Sequence, residues 1–176
     1  GANRLGSNSL TELLVFGKVA GDEAATFSKS VGHGDANAMT KRAADSEAAA
    51  LAVLDRRAPA GGKGERIADI RREMAKSMED GCGIYRTAQT MQATCDKLAE
   101  LKARYKSVVL DDRSRGWNTE WLLAIELGFL LDVAQAMAHS ALARRESRGS
   151  HQRLDGFTER DDVNFLQHSL AYYEGD

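Results

Sequence analysis

The side chains that could do chemistry in this sequence gather in two stretches, one near each end. The first is GANRLGSNSL at residues 1–10, which sets Arg4 just ahead of Ser9 and Leu10. Ser9 and Glu12 match the S-x-x-E capping-box pattern, with Leu10, Leu13, Leu14 and Val15 close by, so a helix starts here. The N-terminus of a helix carries unpaired N–H groups and a partial positive charge, which suit an anion or a carbonyl oxygen. An arginine beside it adds a planar fork that can grip a carboxylate through two bonds. On residue chemistry alone, the plainer alternative is a loop-to-helix turn with a solvated arginine. The second stretch is RRESRGSHQRLDGFTERDDVNFL at 144–166, where Arg148, Arg153 and Arg160 interleave with Glu146, Asp155, Glu159, Asp161 and Asp162. An isolated surface ion pair contributes only about 0–1 kcal/mol. A network this dense therefore predicts a partly buried seam holding an irregular segment to a neighbouring domain.

Other candidates carry less. Cys82 and Cys95 have neither metal-ligand nor redox-pair spacing, and each reads as a buried free thiol suited to a reducing cytoplasm. No metal site is expected. Gly32 and Gly34 form a G-x-G, but Asn37 stands where the third glycine of a dinucleotide fingerprint belongs and no strand precedes them. His151 reads as structural, His139 as a core or interhelix residue, His33 as loop, and His168 as part of a terminal strand.

The elements that must position these residues read as helical. A single proline and abundant alanine favour helix. A formal net charge of −2 argues against nucleic acid as a partner. Helices are expected over 8–20 and 38–57, with a loop at 28–37 and a break at 58–64. Ile67, Ile70, Met74 and Met78 then recur at helical spacing, as do Met91, Cys95, Leu98, Leu101 and Tyr105. Asn118 is the expected N-cap of a long helix reaching about Arg145. That helix holds Glu126, Asp132, Gln135 and His139, which are costly in lipid, so it reads as the centre of a bundle rather than a membrane span. The expected class is mainly α: a bundle of three to four helices with an irregular charged C-terminal tail. Alternation of Leu166, Leu170 and Tyr172 leaves room for a short terminal strand.

GANRLGSNSL, the E-S-R-G-x-H-x-R-x-D run at 146–155 and the E-R-D-D-x-N-F-L run at 159–166 together resemble the flavoprotein subunits of fumarate reductase and succinate dehydrogenase. CGIYRT at 82–87, NTEWLLAIELG at 118–128 and AMAHSALARRESRG at 136–149 look more like fumarate reductase. The resemblance covers nearly the whole chain, with about 25–65 unremarkable. It implies that Arg4 binds a carboxylate of the dicarboxylate substrate, fumarate or succinate, and that Ser9 and Leu10 contact the pyrimidine end of the flavin of FAD. By the same resemblance, residues 1–30 are the end segment of the FAD-binding domain, 31–145 the C-terminal helical bundle, and 146–176 a charged tail that packs on the flavin domain.

The family's dinucleotide fingerprint, flavin-linking histidine, capping domain and proton-donating arginine all precede this segment. The resemblance thus implies no catalytic residue here and an isolated chain that is inactive and binds no cofactor. It further implies an iron–sulfur subunit and membrane-anchor subunits as partners, a cytoplasmic location, and peripheral attachment to the cytoplasmic face of the inner membrane. Two alternatives stand beside it. One is a stand-alone helical binding or assembly module. The other is a piece of an L-aspartate oxidase, whose family shares the GANRLGSNSL-like and ESRG stretches.

Overall fold

A computed structural model describes residues 6, 8–58 and 60–174. The element order is α1 (Asn8–Ser30), α2 (Ala36–Leu54), α3 (Ile67–Cys82), β1 (Tyr85–Arg86), α4 (Ala88–Tyr105), α5 (Thr119–Ala143), β2 (Gln152–Arg153) and α6 (Asp162–Phe165). The chain divides into two compact units, Gly1–Ala48 and Ala49–Asp176. The mainly helical class is as expected.

The first unit holds α1 and most of α2. Helix α1 runs ten residues beyond the expected 8–20, through alanines, Glu23 and Lys29 to Ser30. It buries none of its side chains: Leu13, Leu14, Phe16 and Phe27 are each more than 60% exposed. Helix α2 starts at Ala36, inside the expected loop, because the Asp35 carboxylate accepts from the Asn37 amide at 2.9 Å and so supports the first turn.

The second unit carries the core. Ile70 and Met74 of α3 meet Cys95, Leu98 and Leu101 of α4 and Leu127 and Leu131 of α5, and Val53 and Leu54 close one end. The stripes of α3 and α4 are the ones read from their three- and four-residue spacing. Two glycines set the approach of the helices. A Cβ on Gly81 would lie 2.0 Å from Thr94 Oγ1 and 2.6 Å from the Thr90 carbonyl, so α3 and α4 touch backbone to backbone there. Gly128 makes room for the ring of Tyr105, whose hydroxyl donates to the Ala124 carbonyl at 2.9 Å. Outside the core, Arg104 bridges Glu65 and Glu73 by paired bonds of 2.7–3.0 Å, holding the segment before α3 to α4.

Asn118 caps α5 as expected, accepting from the Trp121 amide at 2.8 Å. The position of α5 differs from a bundle centre. Its buried face is Ala124, Leu127, Leu131, Ala134 and Ala138, while Leu122, Phe129, Val133 and Met137 are more than half exposed. Among the described residues α3 and α4 pack along it and Trp121 Nε1 donates to the Ala50 carbonyl of α2 at 2.8 Å, which covers one side of the helix. By length and composition alone α5 could cross a membrane. Here Asp132 pairs with Lys102 of α4 at 2.7 Å.

No terminal strand forms among the described residues. Asp161 caps the short α6 by accepting from the Val163 and Asn164 amides, and 167–174 then run irregularly. Alternation needs a paired neighbour to become a strand, and none is present there. The strands that do form are β1 and β2, a parallel pair with Tyr85 opposite Gln152 and Arg86 opposite Arg153. They tie the tail to the turn between α3 and α4.

Candidate functional site

Of the three residues singled out at the N-terminal end, Arg4 lies outside the described residues. Ser9 and Leu10 stand in the first turn of α1, with Leu10 68% exposed. The helix begins at Asn8, so Ser9 sits inside the first turn rather than capping it; the capping-box reading makes Leu10 the first helical residue, a shift of two residues. No acidic side chain occupies that turn, so its positive end is not neutralised by a first-turn carboxylate. Asn8, Thr11, Glu12, Val15 and Phe16 outline a shallow concavity of about 350 Å³ beside it. Such a helix end can face a negative charge or a carbonyl oxygen.

The charged tail is built more tightly than its composition required. Glu146 is fully buried immediately after α5. Its Oε1 accepts from Arg144 Nε and Arg148 Nε, each at 2.8 Å, and its Oε2 accepts from Arg148 Nη2 at 3.0 Å and the Asp161 amide at 2.8 Å. Bonding to Arg148 above all holds this carboxyl down to about 2. Arg153, also buried, forks onto Asp155 at 2.8 and 2.7 Å and gives its remaining arm to the carbonyls of Arg144 and Leu142. Asp155 accepts in turn from the Ala88 amide at 2.5 Å, at the N-terminus of α4. The fork of Arg153 and that amide depress its pKa well below the carboxylate range. The charged network is partly buried, and its bonds fasten the tail to β1, α4 and the end of α5 within the second unit itself, where the sequence reading sets it against a neighbouring domain.

His151 joins this seam. It follows a tight turn in which Gly149 has φ 59°, a left-handed conformation that glycine adopts without strain. Arg148 and His151 exchange both backbone bonds across that turn, at 2.9 and 3.0 Å. The imidazole meets Arg86 of β1 at 2.8 Å and the Arg144 carbonyl at 3.1 Å, consistent with a structural histidine. His139 is exposed on α5, contrary to its core reading, because it lies on the face that α3 and α4 leave uncovered. Cys95 is buried and Cys82 half-buried; burial raises both thiols and leaves them poor nucleophiles. Among the described residues no group of three His, Cys, Asp or Glu could hold a metal. Residue chemistry alone gave no sign of Arg86. Its contact with His151 spans 65 positions, and no local pattern signals a partner that far away.

Comparison with known proteins adds what the geometry leaves open. Residues 71–176 match the family model described as fumarate reductase flavoprotein C-term. The chain is 55% identical over 174 residues to the fumarate reductase flavoprotein subunit of a Serratia species, covering 98% of this chain and 28% of that protein. It is 36% identical over 176 residues to the mitochondrial flavoprotein subunit of succinate dehydrogenase from Oryza sativa subsp. japonica, covering 100% of this chain and 27% of the relative. A solved structure of E. coli quinol fumarate reductase superposes with TM-score 0.85 at 54% identity, over 94% of this chain and 28% of that one. The chain thus spans less than a third of the length of the relatives it matches. It belongs to the family of the fumarate reductase flavoprotein C-terminal region, shared with succinate dehydrogenase.

Proposed function

We propose that this chain is part of a flavoprotein subunit that interconverts fumarate and succinate, working with FAD and an iron–sulfur partner subunit, and nearer to fumarate reductase than to succinate dehydrogenase. The observation that carries this reading is the 55% identity to a fumarate reductase flavoprotein subunit over 98% of the chain, against 36% to a succinate dehydrogenase. Residues 1–30 end the FAD-binding domain, 31–145 form the helical bundle, and 146–176 form a tail against the flavin domain. Membrane-anchor subunits complete the assembly, which holds this subunit peripheral on the cytoplasmic face of the inner membrane.

The described residues fit one edge of a flavin and no more. The first turn of α1 is free of acidic side chains and presents Leu10 outward, which suits the pyrimidine end of the ring. Bound FAD supplies hydride transfer to and from the dicarboxylate. Arg4 grips one substrate carboxylate and so fixes the reacting carbons. Ser9 and Leu10 bring the helix end to where negative charge collects on the ring, which lowers the energy of the charged state. None of these groups passes a proton, so the chain on its own is inactive.

The test is to assay the full flavoprotein with fumarate, succinate and L-aspartate, beside an Arg4→Gln variant. Hydrogen bonds to charged groups contribute about 1.5–3 kcal/mol. Losing that grip therefore lowers kcat/KM for fumarate by about ten- to a hundredfold, at 1.4 kcal/mol per factor of ten. Oxidation of L-aspartate alone, or an Arg4→Gln variant with unchanged kcat/KM, would overturn the reading.

A further inference from the structure

His151 stands where three pieces of chain converge: β1, the C-terminal end of α5, and the turn that leads into β2. Its ring is half-buried and each nitrogen has one partner. Arg86 Nη1 lies 2.8 Å from Nδ1. A guanidinium only donates, so Nδ1 must accept there. The Arg144 carbonyl lies 3.1 Å from Nε2, and a carbonyl only accepts, so Nε2 must carry the hydrogen. One form of imidazole satisfies both contacts: the neutral ring protonated at Nε2. The charged ring would point a hydrogen from Nδ1 at the N–H of Arg86.

Among the described residues the charged groups that bear on the ring are arginines. Arg86 faces it from β1, Arg144 from the end of α5, and Arg148 and Arg153 from its own segment. His168 shares a concavity of about 680 Å³ with Arg86, Arg144 and Arg148. The carboxylates of this seam are already taken, Glu146 by Arg144 and Arg148, and Asp155 by Arg153. Arg86 gives its Nε to the Gly83 carbonyl at 2.8 Å, so the turn between α3 and β1 also depends on how its guanidinium is held. The Arg86 carbonyl receives the Leu154 amide at 2.9 Å, one of the bonds that join the tail to β1.

We propose that His151 is a pH-sensitive clasp: as the neutral ring it ties β1 to the end of α5, and proton uptake at Nδ1 expels Arg86 and loosens the β1–β2 seam. The proton comes from solvent, and no other bond is made or broken covalently. Burial, with the nearby arginines, lowers the affinity of this ring for that proton relative to a free histidine. The sign follows. A depressed folded pKa contributes stability that is fully present above the unfolded value, about 6.5, and is lost as pH falls through the folded value. The seam is therefore closed at neutral pH and opens on acidification, and only the tail and the α3–α4 turn are released.

Two measurements on the full chain test this. The first is the tautomer and titration of the His151 ring by long-range proton–nitrogen NMR between about pH 5 and 8. The expected result is an Nε2-protonated neutral ring that titrates below a free histidine. An Nδ1-protonated ring, or titration at or above the free value, would overturn the clasp. The second is the hydrogen-exchange protection of the Leu154 amide, corrected for intrinsic rates, which should be lost as the ring titrates. His151→Gln offers an oxygen to Arg86 and an N–H to the Arg144 carbonyl without titrating, and should keep that protection through the same range. His151→Ala should lack it at every pH. Protection in His151→Gln that falls with acid as in the parent would assign the switch to another group and refute the proposal.

Discussion

Replacing Glu146 with glutamine changes one atom in a side chain with no solvent exposure, which isolates its charge from its shape. Four hydrogen bonds reach its two oxygens, from Arg144 Nε and Arg148 Nε to Oε1 and from Arg148 Nη2 and the Asp161 amide to Oε2, and Arg144 Nη2 also lies 2.7 Å from Oε1. Glutamine keeps one oxygen and turns an NH2 group toward the other pair, so two of the four bonds are lost whichever way the amide faces. Both arginines retain other partners. Arg148 reaches Asp162 at 2.5 Å, and Arg144 bonds the Gln167 carbonyl at 3.1 Å and that of Phe165. Removing one member of a buried ion pair costs about 3–5 kcal/mol, and these remaining partners place the expected loss near the lower end, about 3 kcal/mol. For a chain of this size each kcal/mol moves Tm by about 2–4 °C, so a fall of about 6–12 °C is expected. Urea denaturation followed by far-UV circular dichroism measures the loss directly, with the m-value checking that the transition is unchanged in kind. A loss within about 0.5 kcal/mol, the range of an ordinary surface substitution, would refute the assignment of Glu146 as the organising charge of the tail.

Three further outcomes follow from the same packing. Gly81→Ala puts a Cβ 2.6 Å from the Thr90 carbonyl, which cannot rotate away, so α3 and α4 must separate; a loss of about 1–3 kcal/mol in thermal unfolding is expected, and pairing it with Thr94→Ala should recover only part. Asn118→Ala removes the cap of α5 and should cost about 1 kcal/mol, with earlier hydrogen exchange at Trp121 than at the middle of the helix. Glu73 is held down to about 2, chiefly by its bonds to Arg104 and Lys97, so its contribution is present above the ordinary value of 4.5 and lost as pH falls toward 2. Arg104→Met should flatten that part of the acid-unfolding curve, and an unchanged curve would show that the Arg104 network does not govern it.

Local signals were legible in the sequence where the partner is local. The stripes of α3 and α4, the Asn118 cap and the break at 58–64 all depend on residues within a turn or two of one another. The dense charge of 146–162 announced a partly buried network, because so many arginines and carboxylates are rarely left to solvent together. What it could not announce was the partner on the far side: Arg86 opposite Arg153 in β1–β2, or Asp155 on the Ala88 amide, each more than 60 positions away. The terminal strand failed for the same reason in reverse, since alternation at 166–172 is a local pattern whose fulfilment needs a distant neighbour. Helix α5 misled through its composition. An element apolar all round reads as surrounded, yet composition does not say how many of its sides this stretch of chain can cover.

The two units differ in what they can support by themselves. The second has a closed core of α3, α4 and one face of α5, with Gly81 and Gly128 set at the close contacts and a tail bonded through buried Glu146 and Arg153. Those are the features of a piece that holds its shape through its own contacts. The first unit buries none of its described side chains, and a helix with no tertiary packing is only marginally stable in water even at the 23 residues of α1. Its apolar residues, among them Leu10, Leu14, Phe16 and Phe27, would cost free energy left in water. The reading of residues 1–30 as the flavin-facing end of another domain answers that imbalance. It requires that α1 be ordered by surface that its own unit does not supply, and that the same surface bring Ser9 and Leu10 to the cofactor. Amide exchange along α1 separates the alternatives: protection equal to that of α4 in this chain alone would mean that α1 needs no such support, whereas unprotected α1 beside a protected α4 is what a borrowed core demands.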